Sequence, residues 1–104
     1  GPMLAFNANL NEKDCADPRG PEEVHSRLAL IFESLGAANP TEACGLFQKK
    51  VEAVNCPATL SAAGITSADE IKQICAQVNL QRLANNPRRL TAVDIRELLV
   101  GIGD

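Results

Sequence analysis

Residues 85–99 read Asn-Asn-Pro-Arg-Arg-Leu-Thr-Ala-Val-Asp-Ile-Arg-Glu-Leu-Leu, and this stretch sets a helix stop, a basic turn and a helix start side by side. Proline has no backbone N–H and restricts the residue before it, so Asn86-Pro87 predicts the end of one element. Thr91, followed three residues later by Asp94, supplies an N-cap and an acid for the first turn of a last helix. The stretch therefore predicts two helical elements joined by a short basic turn.

Three further principal helices are predicted upstream, over residues 21–36, 39–55 and 67–83. Each begins at a proline or a capping residue, and the first two end at a glycine or asparagine. Apolar residues recur at helical spacing along each of them. In the first helix this stripe consists of Val24, Leu28, Ile31 and Leu35, widened by Leu30 and Phe32.

The expected fold class is all-α, a compact bundle of four principal helices plus a short connecting helix over residues 57–64. Gly64 is expected to end that short helix, with Ile65 folding back on Leu60. No strand-like alternation is present. We expect residues 1–2 to be the remnant of a cleaved tag, residues 3–20 to be an N-terminal segment and loop, and residues 21–104 to form the helical domain.

Composition narrows the classes of partner. Ten basic and thirteen acidic residues give a net charge of -3 over 104 residues, which argues against nucleic acid or an anionic membrane as a partner. No apolar run approaches the roughly 20 residues of a spanning helix, and no signal-peptide pattern is found. We therefore expect one small cytoplasmic domain that contacts neither nucleic acid nor membrane.

The four cysteines and the single histidine do not form a recognisable reactive or metal-binding motif. Cys15, Cys44, Cys56 and Cys75 are spaced far more widely than the Cys-x-x-Cys motifs of zinc and redox sites. Reduced, packed thiols are the expected state. His25 is expected on the exposed side of the first helix, and one histidine gives no set of converging ligands for a ferrous ion.

Several motifs, taken in their order along the chain, resemble the C-terminal part of the iron-dependent (group III) alcohol dehydrogenases. They are Cys56-Pro57 with a leucine shortly before Gly64-Ile65, a capped helix, Asn86-Pro87-Arg88, and a final helix headed by a threonine and an acid. Residues 3–8, Met-Leu-Ala-Phe-Asn-Ala, resemble the segment by which that family enters this region. The resemblance covers nearly the whole chain.

The resemblance implies a family whose chemistry lies in parts that this chain lacks. In that family an N-terminal nucleotide domain binds NAD(P) through a glycine-rich loop, and an aspartate and three histidines on preceding helices bind iron. His25 lies beyond the place of the last iron ligand, so no ligand role carries over to it. We therefore expect no catalytic residue, no metal and no cofactor for this chain alone.

Two groups of residues are candidate sites. Arg82, Arg88 and Arg89 lie near the start of the last helix and form a possible anion site, although the arginines are alternatively solvated or paired with Asp94 and Glu97. Leu4, Phe6 and Leu10 form a possible protein interface, since in a full-length enzyme this region would pack against preceding helices.

The favoured hypothesis is a non-catalytic helical protein-interaction module derived from an iron-dependent alcohol dehydrogenase C-terminal domain, which binds another protein or itself. One alternative is a fragment of a complete NAD(P)-dependent oxidoreductase, in which this region would wall the substrate side of the iron cleft. Another alternative is a small-ligand carrier that uses the space between helices near Cys56-Pro57.

Overall fold

The structure, a computed structural model, describes residues 1–102, and all of the regular structure among them is helical. Residues 103 and 104, which the sequence assigns to the helical domain, lie outside the described residues. The helices are α1 (Pro2–Ala8), α2 (Pro21–Leu35), α3 (Pro40–Ala53), α4 (Ala68–Gln77) and α5 (Ala92–Gly101), with a 3-10 helix (Arg82–Asn85) between α4 and α5. The all-α prediction is therefore confirmed for this part of the chain.

Side-chain caps begin three of the helices, as the sequence predicts. The Asn39 side chain accepts a hydrogen bond from the backbone N–H of Glu42 at the start of α3. Ser67 and Thr91 each form a complete capping box, at the starts of α4 and α5. An N-cap of this kind stabilises a helix by about 1 kcal/mol relative to alanine, so these local patterns fix where the helices begin.

Left-handed residues end two helices and a tight turn. Gly36 after α2, Asn55 after α3 and Gly64 in the following turn have φ values of 75°, 58° and 87°. In the last case the Ile65 N–H donates to the Leu60 carbonyl over 2.9 Å, which is the longer hydrogen bond of a Schellman motif. The predicted fold-back at this position is therefore confirmed.

Two predicted helices differ from the structure: one is shorter than expected and the other is a turn. Helix α4 ends at Gln77 instead of Leu83, because Val78 adopts an extended backbone with φ -68° and ψ 125°. The chain becomes helical again only in the 3-10 helix at Arg82. Residues 57–64, predicted as a connecting helix, form a hydrogen-bonded turn and not a helix.

The N-terminal segment is helical and is part of the packed unit. Residues 2–8 form α1, which packs against α2, α3 and α5. Gly1 and Pro2, set aside as a tag remnant, both take part: Pro2 lies in the first turn of α1, and the Cys44 thiol donates to the Gly1 carbonyl over 3.0 Å. The segment and the helical domain are therefore one body.

The main core lies where α1 and the chain after it meet α2. Its buried members are Leu10, Val24 and Leu28, and the partly buried Leu4, Ala8, Cys15 and Phe32 pack against them. The stripe of α2 thus continues from Leu28 to Phe32, one full i+4 step, and not to Ile31. Ile31 is 42% exposed and Leu30 is 62% exposed, which corrects the sequence-based stripe.

The molecule is flat and exposes much surface. It measures 38 × 31 × 17 Å, and its radius of gyration is 14.5 Å, against roughly 13 Å for a typical domain of this length. Its accessible surface is 7108 Å², whereas a folded monomer of 11.1 kDa exposes roughly 5,700 Å². The chain therefore leaves about 1,400 Å² more surface in water than a stand-alone domain of its mass.

A matched pair of leucines on α2 tests the assignment of the core. Leu28→Ala removes a buried side chain and should lower the free energy of unfolding by about 2–5 kcal/mol, whereas Leu30→Ala should change it by less than about 0.5 kcal/mol. Urea unfolding followed by circular dichroism measures both. Equal midpoints for the two variants would show that α2 is oriented differently.

Candidate functional site

The side chain of Arg88 connects the basic turn to the N-terminal segment. Its Nε donates to Asp14 Oδ2 over 2.9 Å, and its Nη1 donates to the Phe6 carbonyl over 2.9 Å. The guanidinium carbon also lies 4.1 Å from the centre of the Phe6 ring, within the range of a cation–π interaction. One side chain therefore contacts α1 and the loop that follows it.

Asn86 makes a second connection to α1. The Asn7 and Asn86 side chains exchange two amide hydrogen bonds, of 3.0 Å and 2.8 Å, although 79 positions separate them in the chain. Asn86 Nδ2 also donates to the backbone carbonyl of Arg88. Because Asn7 is 93% buried (7% exposed), its amide needs these partners, since an unpaired buried polar group costs about 1–3 kcal/mol.

Backbone hydrogen bonds complete the junction. The Ala16 N–H donates to the Pro87 carbonyl and the Arg89 N–H donates to the Asp14 carbonyl, each over 2.8 Å. They flank the isolated antiparallel bridge between Cys15 and Arg88. We call the contacts between residues 6–16 and residues 86–89 the N-terminal junction. It joins two segments that are about 75 residues apart in the sequence.

Two of the three arginines in the predicted anion site have hydrogen-bond partners within the chain. Arg88 is paired with Asp14, and Arg89 Nη1 donates to the Lys13 carbonyl over 2.8 Å. Arg82 is exposed on the 3-10 helix. The Asp94 carboxylate already accepts from the Thr91 N–H and hydroxyl at the start of α5, and the hydrogen bond from the Thr91 side chain lowers the pKa of Asp94. The anion site stays a prediction.

The predicted interface residues all pack within the chain. Leu10 is 3% exposed in the main core, and Leu4 packs against that core. Phe6 is partly buried beneath Arg88. Contact between these three residues and another protein stays a prediction.

A different apolar surface, which sequence reasoning missed, lies on α5. Val93 is 64% exposed and Val100 is 58% exposed. They stand seven residues apart and thus on the same side of the helix, away from buried Ile95. We call this exposed side, formed by Ala92, Val93, Arg96, Glu97, Val100 and Gly101, the α5 face. The signal was present in the sequence, because α5 has more apolar residues than one stripe needs.

A groove adjoins the α5 face at Val100. It has a volume of about 570 Å³ and runs between α3, the start of α1 and the end of α5, past Phe47, Val51 and Pro57. Phe47 is 43% exposed. This groove is the space near Cys56-Pro57 that the sequence suggested for a small ligand, and such a ligand stays a prediction.

Neither a metal site nor a membrane span is found in residues 1–102. Among these residues no three His, Cys, Asp or Glu side chains are grouped to hold a metal ion, and no helix is long and apolar enough to cross a membrane. His25 is exposed on α2, as its helical position predicts.

Comparison with known proteins returns no matching family model, no matching curated protein and no matching solved structure. The resemblance to iron-dependent alcohol dehydrogenases therefore rests on the sequence motifs alone.

The pKa values of Asp14 and Asp17 report on their contacts with the neighbouring arginines. The backbone N–H of Asn11 and, after it, Arg88 lower the pKa of Asp14, whereas Arg19 is the main cause that lowers the pKa of Asp17 to about 2. Arg88→Gln should therefore raise the Asp14 pKa and still leave it below its ordinary value. Arg19→Gln should raise the Asp17 pKa by more. NMR titration of the carboxyl carbons measures both.

The lowered pKa of Asp14 also predicts how the stability of the fold depends on pH. A carboxylate with a lowered pKa in the folded state stabilises the fold fully above its ordinary pKa, and this stabilisation is lost as the pH falls through the lowered value. Arg88→Gln should therefore flatten the decline in stability on acidification. An unchanged Asp14 pKa in this variant would contradict the ion pair.

Proposed function

We propose that this chain is a non-catalytic helical module that functions by packing against another protein or a second copy of itself, without a metal or cofactor of its own. The observation that carries the proposal is the surplus of exposed surface. The accessible surface of 7108 Å² exceeds that of an ordinary monomer by about 1,400 Å². Each partner in an interface of standard size buries roughly 800 Å², so the surplus is large enough for one such interface.

The α5 face and the adjoining groove are the best-suited contact surface. Val93, Val100 and Phe47 are large apolar side chains that the chain itself leaves in water. Val100 lines both the α5 face and the groove, so the two surfaces adjoin. Exposed apolar side chains grouped among polar ones are typical of protein interaction sites.

Origin from an iron-dependent alcohol dehydrogenase is part of the proposal. It is supported by the fact that two of the motifs that carry the resemblance, residues 3–8 and Asn86-Pro87-Arg88, contact each other in the N-terminal junction. The same contact favours a second candidate function, a domain of a complete iron- and NAD(P)-dependent oxidoreductase. An uninterrupted upstream reading frame encoding a glycine-rich nucleotide loop and an Asp/His iron set would establish that alternative.

A cytoplasmic location is also proposed. All four cysteines have free thiols, and Cys56 is exposed. Free thiols persist in reducing compartments and are oxidised in secretory ones.

Site-specific photo-crosslinking tests whether another protein molecule contacts the α5 face. A p-benzoylphenylalanine at Val93 should form a protein adduct, either with another protein or with a second copy, when the chain is irradiated in lysate of its source cells. The same group at Leu30, an equally exposed apolar position on α2, serves as the matched control and should give much less adduct. Equal yields at the two positions, or no adduct at Val93, would contradict the proposal.

A further inference from the structure

The α5 face has a symmetric order of side-chain types. All six of its residues are exposed. Along the helix they run small, apolar, basic, acidic, apolar, small: Ala92, Val93, Arg96, Glu97, Val100 and Gly101. Reversing the direction of the helix gives the same order, except that the basic and acidic residues exchange places.

This order of side chains is compatible with the pairing of two copies of α5 about a two-fold axis. In an isologous contact, residue i of one copy meets residue j of the other, and j meets i. For two antiparallel α5 helices with the axis between Arg96 and Glu97, Val93 of each copy lies opposite Val100 of the other. Both valines are more than half exposed, so this pairing buries four side chains that the single chain leaves in water.

The charged pair at the centre becomes complementary in the same arrangement. Arg96 of each copy lies opposite Glu97 of the other, which gives two opposite-charge pairs across the axis. Neither residue forms an ion pair with any of residues 1–102, so both are available. Like charges at the same positions would repel each other instead.

Small residues at both ends permit a close approach of the two helices. Ala92 lies opposite Gly101, and a Cβ added at Gly101 would meet no atom of residues 1–102 within 4 Å apart from its chain neighbours and the backbone of its own helix. Helices packed through small residues approach to the lower end of the usual 8–10 Å between axes.

We propose that the surface covering the α5 face is α5 of a second copy of this chain, packed antiparallel about a two-fold axis between Arg96 and Glu97. This inference rests on the proposed function and names its partner. The surplus surface of about 1,400 Å² per chain accommodates the roughly 800 Å² per partner of a standard dimer. Phe47 and Val51 in the adjoining groove extend the apolar surface beyond α5.

Charge reversal tests the pairing directly. Arg96→Glu and Glu97→Arg each replace two opposite-charge pairs by two like-charge pairs, so each variant should raise the dissociation constant of the dimer by about tenfold. The double variant R96E/E97R restores the opposite pairs and should associate as the original chain does. An equal mixture of the two single variants should form heterodimers for the same reason. Sedimentation velocity from micromolar to millimolar concentration measures the mass, with circular dichroism to verify that each variant folds.

The expected result for the original chain is a concentration-dependent rise from 11.1 kDa towards twice that mass. Val93→Lys should abolish the rise, whereas the matched exposed-site change Leu30→Lys should leave it intact. A chain that stays monomeric at millimolar concentration would overturn the inference, as would a dimer that neither charge reversal weakens.

The two proposals fail in different ways. If the purified chain is monomeric while Val93 still crosslinks another protein in lysate, the second copy is the wrong partner and the interaction module stands. If neither association nor crosslinking occurs, both proposals fail.

Discussion

The contact between the Arg88 guanidinium and the N-terminal segment is the interaction on which the arrangement of the helices depends. It joins the Phe6 carbonyl and ring, the Asp14 carboxylate and the turn before α5 at one point. Helix α1 has only seven residues, and isolated helices of that length are not stable in water. Tertiary contacts must therefore hold it in place, and the N-terminal junction supplies the polar ones.

The junction also accounts for the arginines and asparagines of this stretch, because several of them hold the fold together. Its hydrogen-bonding groups are satisfied by one another and by the backbone, and no buried side-chain N or O atom among residues 1–102 lacks a hydrogen-bond partner. Helix α5 is held at its start by this junction. At its end it is held by the hydrogen bond from the Leu60 N–H to the Ile102 carbonyl. Its two ends are thus fixed while the α5 face is left uncovered.

The sequence predicted those features that depend on neighbouring residues. The capping boxes at Ser67 and Thr91 and the left-handed ends at Gly36 and Asn55 each involve a few consecutive positions, and all are present in the structure. Features set by distant contacts were missed. The helical state of residues 2–8 and the pairing of Asn7 with Asn86 depend on packing across most of the chain.

On a helix with more apolar residues than one stripe needs, the sequence indicated that some would be exposed but not which ones. The repeat along α2 allowed a stripe through either Ile31 or Phe32, and only the position of α1 decided for Phe32. For α5, periodicity identified the inward residue Ile95 but did not show that Val93 and Val100 are more than half exposed. The candidate surface therefore emerged from the structure, whereas the predicted site residues lie in the core, in the junction or, for Arg82, on the 3-10 helix.

Native-state hydrogen exchange tests the central claim, that the N-terminal junction holds the fold together. The N–H groups of Ala16 and Arg89, which donate across the junction, should exchange as slowly as those in the buried part of α2, because both would require global unfolding. The Gly64 N–H, in an exposed turn, should exchange much faster. Exchange of Ala16 and Arg89 at the rate of an unfolded chain, while α2 stays protected, would contradict the account.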